Sequence, residues 1–593
     1  MSSRPNYLYV IHSVWRLMGR KRRLQCIALA TLMIVAAFLE MLSIGSIVPF
    51  MTILTTSKDV LLVDKGSWFL DYVLTISGDN VLGLVTIFFV SAFMCAAIAR
   101  FFLVWTSVRL AFGIGSDLSL GMFGEAINQP YLVHVSRNSS LVISGVTTKV
   151  GALINNLIIP VMNLVTAIVL MFSIVLLLVL INPYVSVAAF LGFGFIYIGV
   201  IIFTSRIKIR NSLIVSESST LLVKTIQEAL GGIREVILGG HQALYKNLYS
   251  EIDSRYRRGQ ATNQILALGP KHIIEGFGVL VIVLIAYKFS GDHDSNTYLI
   301  PALGAIAIAA QRLLPVMQQA YVAWSSMQNG YGMIVEAISL LQSPLISNRV
   351  STNKNFLRFQ KGVFFDQVTF GYPGSKYPVL SNVSINLKCG DRIGVVGSTG
   401  SGKSTFIDLL MGLLEPQSGR VLIDDISLTL DNSRDWQTNV SHVPQSIFLI
   451  DATVAENIAF GFDVIDFDKI KLVSEVAQIS QEIELWPHGY ETQIGERGVR
   501  LSGGQRQRIG IARALYKDAS FLVLDEATSA LDDFTERKII DAINSLRQDI
   551  TIIMVAHRLT TLEKCNQLIA LDGVGGLKVG KYDDIISNIK NEV

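Results

Sequence analysis

Residues Gly397-Ser398-Thr399-Gly400-Ser401-Gly402-Lys403-Ser404-Thr405 set three glycines and a lysine among hydroxyl side chains. They follow Val395-Val396, which reads as the end of an apolar strand, and the stretch from Ser404 to Leu413 reads as a helix. Glycines let the backbone curl around anionic oxygens, so successive amide N–H groups and the positive helix end face the β-phosphate of a nucleotide. Lys403 is then expected to reach the β- and γ-oxygens, and Ser404 to ligate Mg²⁺. The implied ligands are a nucleoside triphosphate and Mg²⁺. Downstream, Phe521-Leu522-Val523-Leu524-Asp525-Glu526 is an apolar strand ending in two acids. Desolvating two carboxylates is costly without a use for them. Asp525 is expected to hold Mg²⁺ through water, and Glu526 to act as general base on the attacking water.

About a hundred residues after the phosphate loop stands Leu501-Ser502-Gly503-Gly504-Gln505, which resembles the signature of ABC ATPases. Other stretches resemble the same family residue for residue. Tyr372 sits where the family stacks a ring on adenine. Gln445, in Val443-Pro444-Gln445, matches the glutamine that senses Mg²⁺ and water and connects to the membrane part. Ser529-Ala530-Leu531-Asp532 matches the D-loop, and His557 the switch histidine that contacts the γ-phosphate. Thr492–Gly498 resembles the exporter-type loop ahead of the signature. The resemblance implies that the signature of one subunit closes on the phosphate loop of its partner. Ser502 and Gly504 would then supply donors to the γ-phosphate. One ATPase per chain implies half a transporter, and with no catalytic position substituted a homodimer would have two competent sites.

These motifs need a scaffold, and the composition says which kind. The chain has 593 residues, too many for one core, of which only 16% are charged. Its mean hydropathy of +0.47 demands apolar spans. The net charge of +3 is small, with basic residues mainly beside apolar segments, so they read as topology signals and not as a nucleic-acid surface. Six stretches can span a bilayer: about 26–54, 81–105, 152–181, 185–204, 263–287 and 298–324. Asn182-Pro183-Tyr184 is the turn dividing the third from the fourth. Arg16, Arg20, Lys21, Arg22 and Arg23 precede the first span. Arg206, Lys208 and Arg210 follow the fourth, and Arg255, Arg257 and Arg258 precede the fifth, whereas 291–294 are acidic around His293. The positive-inside rule puts both termini in the cytosol. The first span reads as an uncleaved anchor. The four cysteines lack metal-ligand spacing and read as structural thiols.

The insertions 108–150 and 205–262 read as membrane helices continuing into the cytosol, with an apolar stripe such as Leu222, Ile226, Leu230 and Ile233. Each bends at a short helix, near Tyr131–Leu141 and Ala229–His241, suited to docking on an ATPase. The expected organisation is a transmembrane domain over 1–341, a linker over 342–360 and an ATP-binding domain over 361–593. The fold class is thus an α-helical six-span domain fused to an α/β phosphate-loop domain.

In this order of parts the chain resembles type IV ABC exporters over its whole length. Phe38–Phe50 and Asn128–Ser139 resemble the flippases of lipid-linked oligosaccharides. Charged residues inside spans are functional by default. Arg100, Lys271 and Arg312 lie roughly 28, 24 and 21 Å from the outer ends of their spans. Three cations at one level suit a diphosphate headgroup. Glu40 and Glu275 lie at similar depth and offer structural pairing instead. The expected function is an ATP-driven flippase of the bacterial cytoplasmic (inner) membrane, carrying an amphipathic, lipid-linked oligosaccharide. A lipid A-like or general lipid exporter and a multidrug exporter are the alternatives within transport, since a cationic cavity also suits lipid A-like phosphoglycolipids. An ATP-gated channel or non-transporting regulator is the remote one, because Glu526 is intact.

Overall fold

The structure is a computed structural model describing residues 6–47, 50, 81–181, 183–290, 296–342, 359–545, 549–556 and 558–592. It divides into two compact units. The first comprises Met1–Asn128 and Arg137–Leu345, and the second Gln129–Ser136 and Ile346–Val593. The acidic loop expected at 291–294, most of the expected linker and the switch histidine His557 lie outside the described residues.

The described part of the first unit is helical. Helices run through Arg20–Gly45, Val81–Asn128, Ile159–Ile181, Pro183–Gly231, Gln242–Ser290 and Asn296–Asn329. Three helical stretches among the described residues are long and apolar enough to cross a membrane: Arg20–Gly45, Leu82–Asn128 and Ser139–Leu177. The helix Arg20–Gly45 opens on Arg20, Lys21, Arg22 and Arg23, so these four form its first turns, while Arg16 stands in the last turn of the preceding helix Tyr7–Leu17. At 1.5 Å per residue the 48 residues of Val81–Asn128 extend roughly 70 Å, well beyond a ~30 Å hydrocarbon core. This helix ends before Pro130, whose missing N–H and restricted neighbour favour a break there. The next helical run carries π-helical turns at Gly145–Lys149 and Ile154–Ile158.

Two features differ from the sequence expectation. Ile226, Leu230 and Ile233 are helical but exposed, and Gly232 separates the last from the others. Lys208, counted above with the basic topology signals, is fully buried. Its Nζ donates to the Tyr321 hydroxyl at 3.0 Å, and that hydroxyl donates to the Leu266 carbonyl at 2.6 Å. The long aliphatic stem packs inward while the phenol serves the ammonium.

The second unit holds two sheets. β1 (Gly362–Phe370), β2 (Leu380–Lys388), β4 (Ser418–Ile423) and β5 (Ile426–Ser427) form an antiparallel sheet ordered β2-β1-β4-β5. The other contains β3 (Arg392–Gly397), β6 (Val440–Val443), β7 (Phe521–Asp525), β8 (Thr551–Val555), β9 (Gln567–Leu571) and β10 (Leu577–Gly580). Its order is β10-β9-β3-β8-β7-β6, parallel from β9 through β6. The strands of this sheet from β3 to β7 read as near-continuous apolar runs because both faces are covered. Since β3, β7 and β6 run in one direction, everything that follows them gathers at one edge. Ligands of open α/β sheets bind at that edge.

Candidate functional site

The loop after β3 turns through Gly397, Gly400 and Gly402, the last two at φ of 81° and 99°. A side chain at Gly397 would lie 2.6 Å from Ser401 Oγ and 2.8 Å from the Leu571 carbonyl, so glycine is required there. The helix Lys403–Leu410 then starts one residue earlier than expected and ends three residues earlier. Lys403 Nζ donates to the Gly397 and Ser398 carbonyls at 2.8 and 3.0 Å, which arches the lysine over the loop between Ser398 and Ser404. Tyr372 sits half-buried beside it, its hydroxyl 3.3 Å from Thr405 Oγ1 and its ring edge-on to Phe370 at 5.2 Å.

At the tip of β7, Gln445 Nε2 donates to Glu526 Oε2 at 2.5 Å. Residues expected from separate motifs thus meet. Glu526 adopts φ of 50°, a left-handed conformation that costs a residue with a Cβ about 1–3 kcal/mol. Its N–H is held by the Val555 carbonyl of β8 at 3.0 Å. The strained turn aims the carboxylate at Gln445 instead of along the strand.

The signature segment forms a capped helix start. Ser502 Oγ accepts from the Gln505 N–H at 3.2 Å, and the Ser502 N–H donates to Gln505 Oε1 at 2.8 Å. This reciprocal cap begins the helix Gly503–Tyr516 and leaves the Ser502 hydroxyl hydrogen available to donate. Glu482 fixes the segment from behind, accepting from Gln505 Nε2 at 2.7 Å and pairing with Arg508 at 2.5 Å.

Three residues of this region were not singled out from sequence. Gln507 is buried and donates to Ser529 Oγ at 3.0 Å while accepting from the Ala530 N–H at 2.9 Å, so it ties the signature helix to the D-loop. Glu536, 6% exposed, accepts from Thr528 Oγ1 at 2.8 Å, Thr561 Oγ1 at 3.0 Å and Arg558 at 2.8 Å. It joins the turn after Glu526 to the residue that follows His557. In sequence it reads only as an acid in the first turn of the helix Asp533–Asn544, where the helix dipole favours one.

Asp408 is the third. Burial, and then the neighbouring Asp525 carboxylate, push it up to about 6. Tyr131, on the short helix Tyr131–Ser136 within the same unit, is raised by burial and then by Asp408 and Tyr372. Because the fold raises Asp408, it favours the neutral acid, and that contribution fades as pH rises through about 6. Asp408→Asn is therefore expected to raise the melting temperature at pH 8 by roughly 2–4 °C, with the gain vanishing below pH ~4. Melting curves across that range check it; a constant offset would remove titration of Asp408 as the cause.

The intramembrane cations are distributed differently from one another. Arg100 Nε lies 3.4 Å from the buried Glu40 carboxylate, across two helices. Lys271 Nζ lies 3.8 Å from Glu275 on its own helix, one turn on. Arg312 falls on the helix Asn296–Asn329, and its side chain lies outside the described residues.

A family model described as "ABC transporter" matches residues 380–529, which include the phosphate loop, the signature and the tip of β7. An ATP-dependent lipid A-core flippase of Chromohalobacter salexigens is 31% identical over 399 residues, covering 66% of this chain and 67% of the relative. The chain belongs to the ABC transporter family. A second relative in that family, an ATP-dependent lipid A-core flippase of Pseudoalteromonas atlantica, is 33% identical over 392 residues, covering 63% of this chain and 66% of the relative. The chain thus spans just under two thirds of the length of that relative. Among solved structures, a bacterial Atm1-family ABC exporter with ATP bound superposes with a TM-score of 0.79. The match covers 96% of each chain at 21% identity, so it shows the exporter fold: an apolar helical part fused to an ABC ATPase.

Proposed function

We propose that this chain is half of an ATP-driven exporter that moves an amphipathic glycolipid across the bacterial cytoplasmic membrane, working as a homodimer. The observation that carries the reading is one chain joining an intact phosphate loop and a Gln445–Glu526 contact to helices apolar enough to span a bilayer. Lys403 and the loop amides would bind the ATP phosphates. Ser404, Gln445 and Asp525 are hard oxygen donors suited to Mg²⁺. Bound Mg²⁺ would neutralise the phosphate oxygens. Glu526, held by Gln445, would take the proton of the attacking water. The signature amides of one subunit would meet the nucleotide of the other, so ATP joins the dimer and hydrolysis releases it.

Lys403→Ala is expected to weaken ATP binding about 10–100-fold, the loss of a charge-assisted hydrogen bond. Equilibrium binding of a labelled ATP analogue checks this, and unchanged affinity would contradict the role given to Lys403.

Two cargo readings are carried by different observations. The cations Arg100, Lys271 and Arg312, and the Phe38–Phe50 and Asn128–Ser139 segments, favour a diphosphate-linked oligosaccharide lipid. The relatives named as lipid A-core flippases favour a lipid A-like phosphoglycolipid. Purified protein in proteoliposomes, given each lipid in fluorescent form with ATP, separates them by which one flips. Flipping of neither, with ATP hydrolysis intact, would sink the glycolipid reading.

A further inference from the structure

The amphipathic helix Tyr7–Leu17, the helix Arg20–Gly45 and the helical run through Ile154–Ile181 enclose a groove of about 200 Å³ that leads to no nucleotide or cargo residue named above. Its lining is almost wholly apolar: Val14, Trp15 and Met18 on one wall, Leu29 and Met33 on the second, Val161 on the third. The third wall includes Leu157 and Ile158 of the π-helical turn Ile154–Ile158, and such turns recur at functional sites. Around the groove the helix Arg20–Gly45 exposes Ile27, Ile34 and Phe38, so the opening is continuous with a surface that hydrocarbon must cover.

One end of this groove is strongly cationic. Arg16, Arg20, Lys21, Arg22 and Arg23 crowd the junction between its first two walls. Arg22 pairs with Asp117 at 2.7 Å. Arg16 and Arg20 are exposed and, like Arg23, are ion-paired with no carboxylate among the described residues. Arg23 donates to the carbonyls of Trp15 at 3.0 Å and Arg16 at 2.9 Å, anchoring a positive charge at the end of the helix that supplies Trp15. A dry slot opening onto hydrocarbon, with uncompensated cations at one end, matches a molecule that is apolar along its length and anionic at its head.

We infer that this groove seats an acyl chain of an anionic phospholipid from the cytoplasmic leaflet, with its phosphate at the Arg16–Arg20 end. Basic residues at an anionic leaflet attract such headgroups. The groove would thereby hold the helix Tyr7–Leu17 against the membrane part. That helix is also tied through Tyr7, 5.2 Å from Trp324 and 5.5 Å from Tyr331, and through Tyr9, whose hydroxyl donates to Gln342 at 3.2 Å. A bound lipid therefore acts on the segment that leads out of the last long helix.

Trp15 makes the site observable. The protein is placed in nanodiscs of phosphatidylcholine, and phosphatidylglycerol or phosphatidylcholine brominated along its chains is titrated in. Quenching due to Trp15 is obtained by subtracting the same titration of Trp15→Phe. Brominated phosphatidylglycerol is expected to half-saturate this quenching at about a tenfold lower mole fraction than brominated phosphatidylcholine. The pair Arg16→Gln with Arg20→Gln, which leaves Lys21, Arg22 and Arg23 to set topology, should bring the two curves together. Ala30→Phe, which fills the groove, should abolish saturable quenching by either lipid; Val165→Phe, at another lining position, serves if the first variant misfolds. Basal ATP hydrolysis and melting temperature confirm folding in each case. Identical curves for the two lipids in the wild type, or a preference that survives the double arginine change, would overturn the proposal. Absence of any saturable Trp15 component would overturn it too and leave a protein partner as the occupant.

Discussion

Glu526→Gln should bind ATP as tightly as the wild type and hydrolyse it about 10²–10⁴-fold more slowly, the usual loss on removing a general base. The amide keeps the shape of the side chain and an oxygen for the Gln445 contact at 2.5 Å, so the change isolates the proton-accepting step. The backbone at φ of 50° is already strained, and replacing one long side chain with another leaves that cost in place. Binding survives while release fails, so the variant should accumulate as an ATP-bound dimer visible by size and by retained nucleotide. Steady-state hydrolysis in detergent, beside equilibrium ATP binding, decides the matter. Activity above a tenth of wild type would mean that another group takes the proton.

The candidate ATP site could be read from the sequence because its information is local. Nine consecutive residues carry the phosphate loop, and the strand before it and the helix after it follow from adjacent apolar runs. Glu526 could be named for a similar reason, as the second of two acids ending an apolar strand. What could not be read is what depends on burial. Asp408 stands on the helix after the phosphate loop and looks like an ordinary helical acid; only the fold sets it beside Asp525 and out of water. Gln507 and Glu536 are polar residues within helices, unremarkable until packing turns them toward the D-loop and Arg558.

The helical part shows the same division. That this part is built of apolar helices follows from composition, and the break before Pro130 from backbone chemistry. The side on which a helix buries its residues does not. Lys208 follows an apolar span as a topology signal should, yet it is folded inward onto Tyr321. The stripe through Ile226 and Leu230 has helical spacing but faces outward in the single chain. Periodicity reports that a helix has an apolar face, and only the tertiary fold reports whether this chain covers it.

That limit bears hardest on the intramembrane cations, where two physical accounts predict opposite outcomes. Glu40 is 4% exposed, with Arg100 3.4 Å away across the helix pair. If the pair is structural, Arg100→Ala removes a half-exposed partner from a buried carboxylate and should cost about 1–3 kcal/mol of stability. The further change Glu40→Ala should then restore melting temperature and translocation together. If Arg100 binds the cargo phosphate, Arg100→Ala should lower translocation about 10–100-fold, the range for one charge-assisted hydrogen bond, with stability largely unaffected, and adding Glu40→Ala should leave translocation lost. Lys271 provides the contrast. Its pairing with Glu275 at 3.8 Å is intrahelical and both side chains are about half exposed, so that contact is worth well under 1 kcal/mol. Lys271→Ala should therefore leave melting temperature unchanged, and any loss of translocation in it reports on cargo directly. The assay is flipping of a fluorescent diphosphate-linked glycolipid in proteoliposomes, with basal ATP hydrolysis measured alongside because the candidate catalytic residues belong to the other unit. Wild-type flipping in Lys271→Ala and in the Arg100→Ala, Glu40→Ala double variant would remove headgroup binding from both cations.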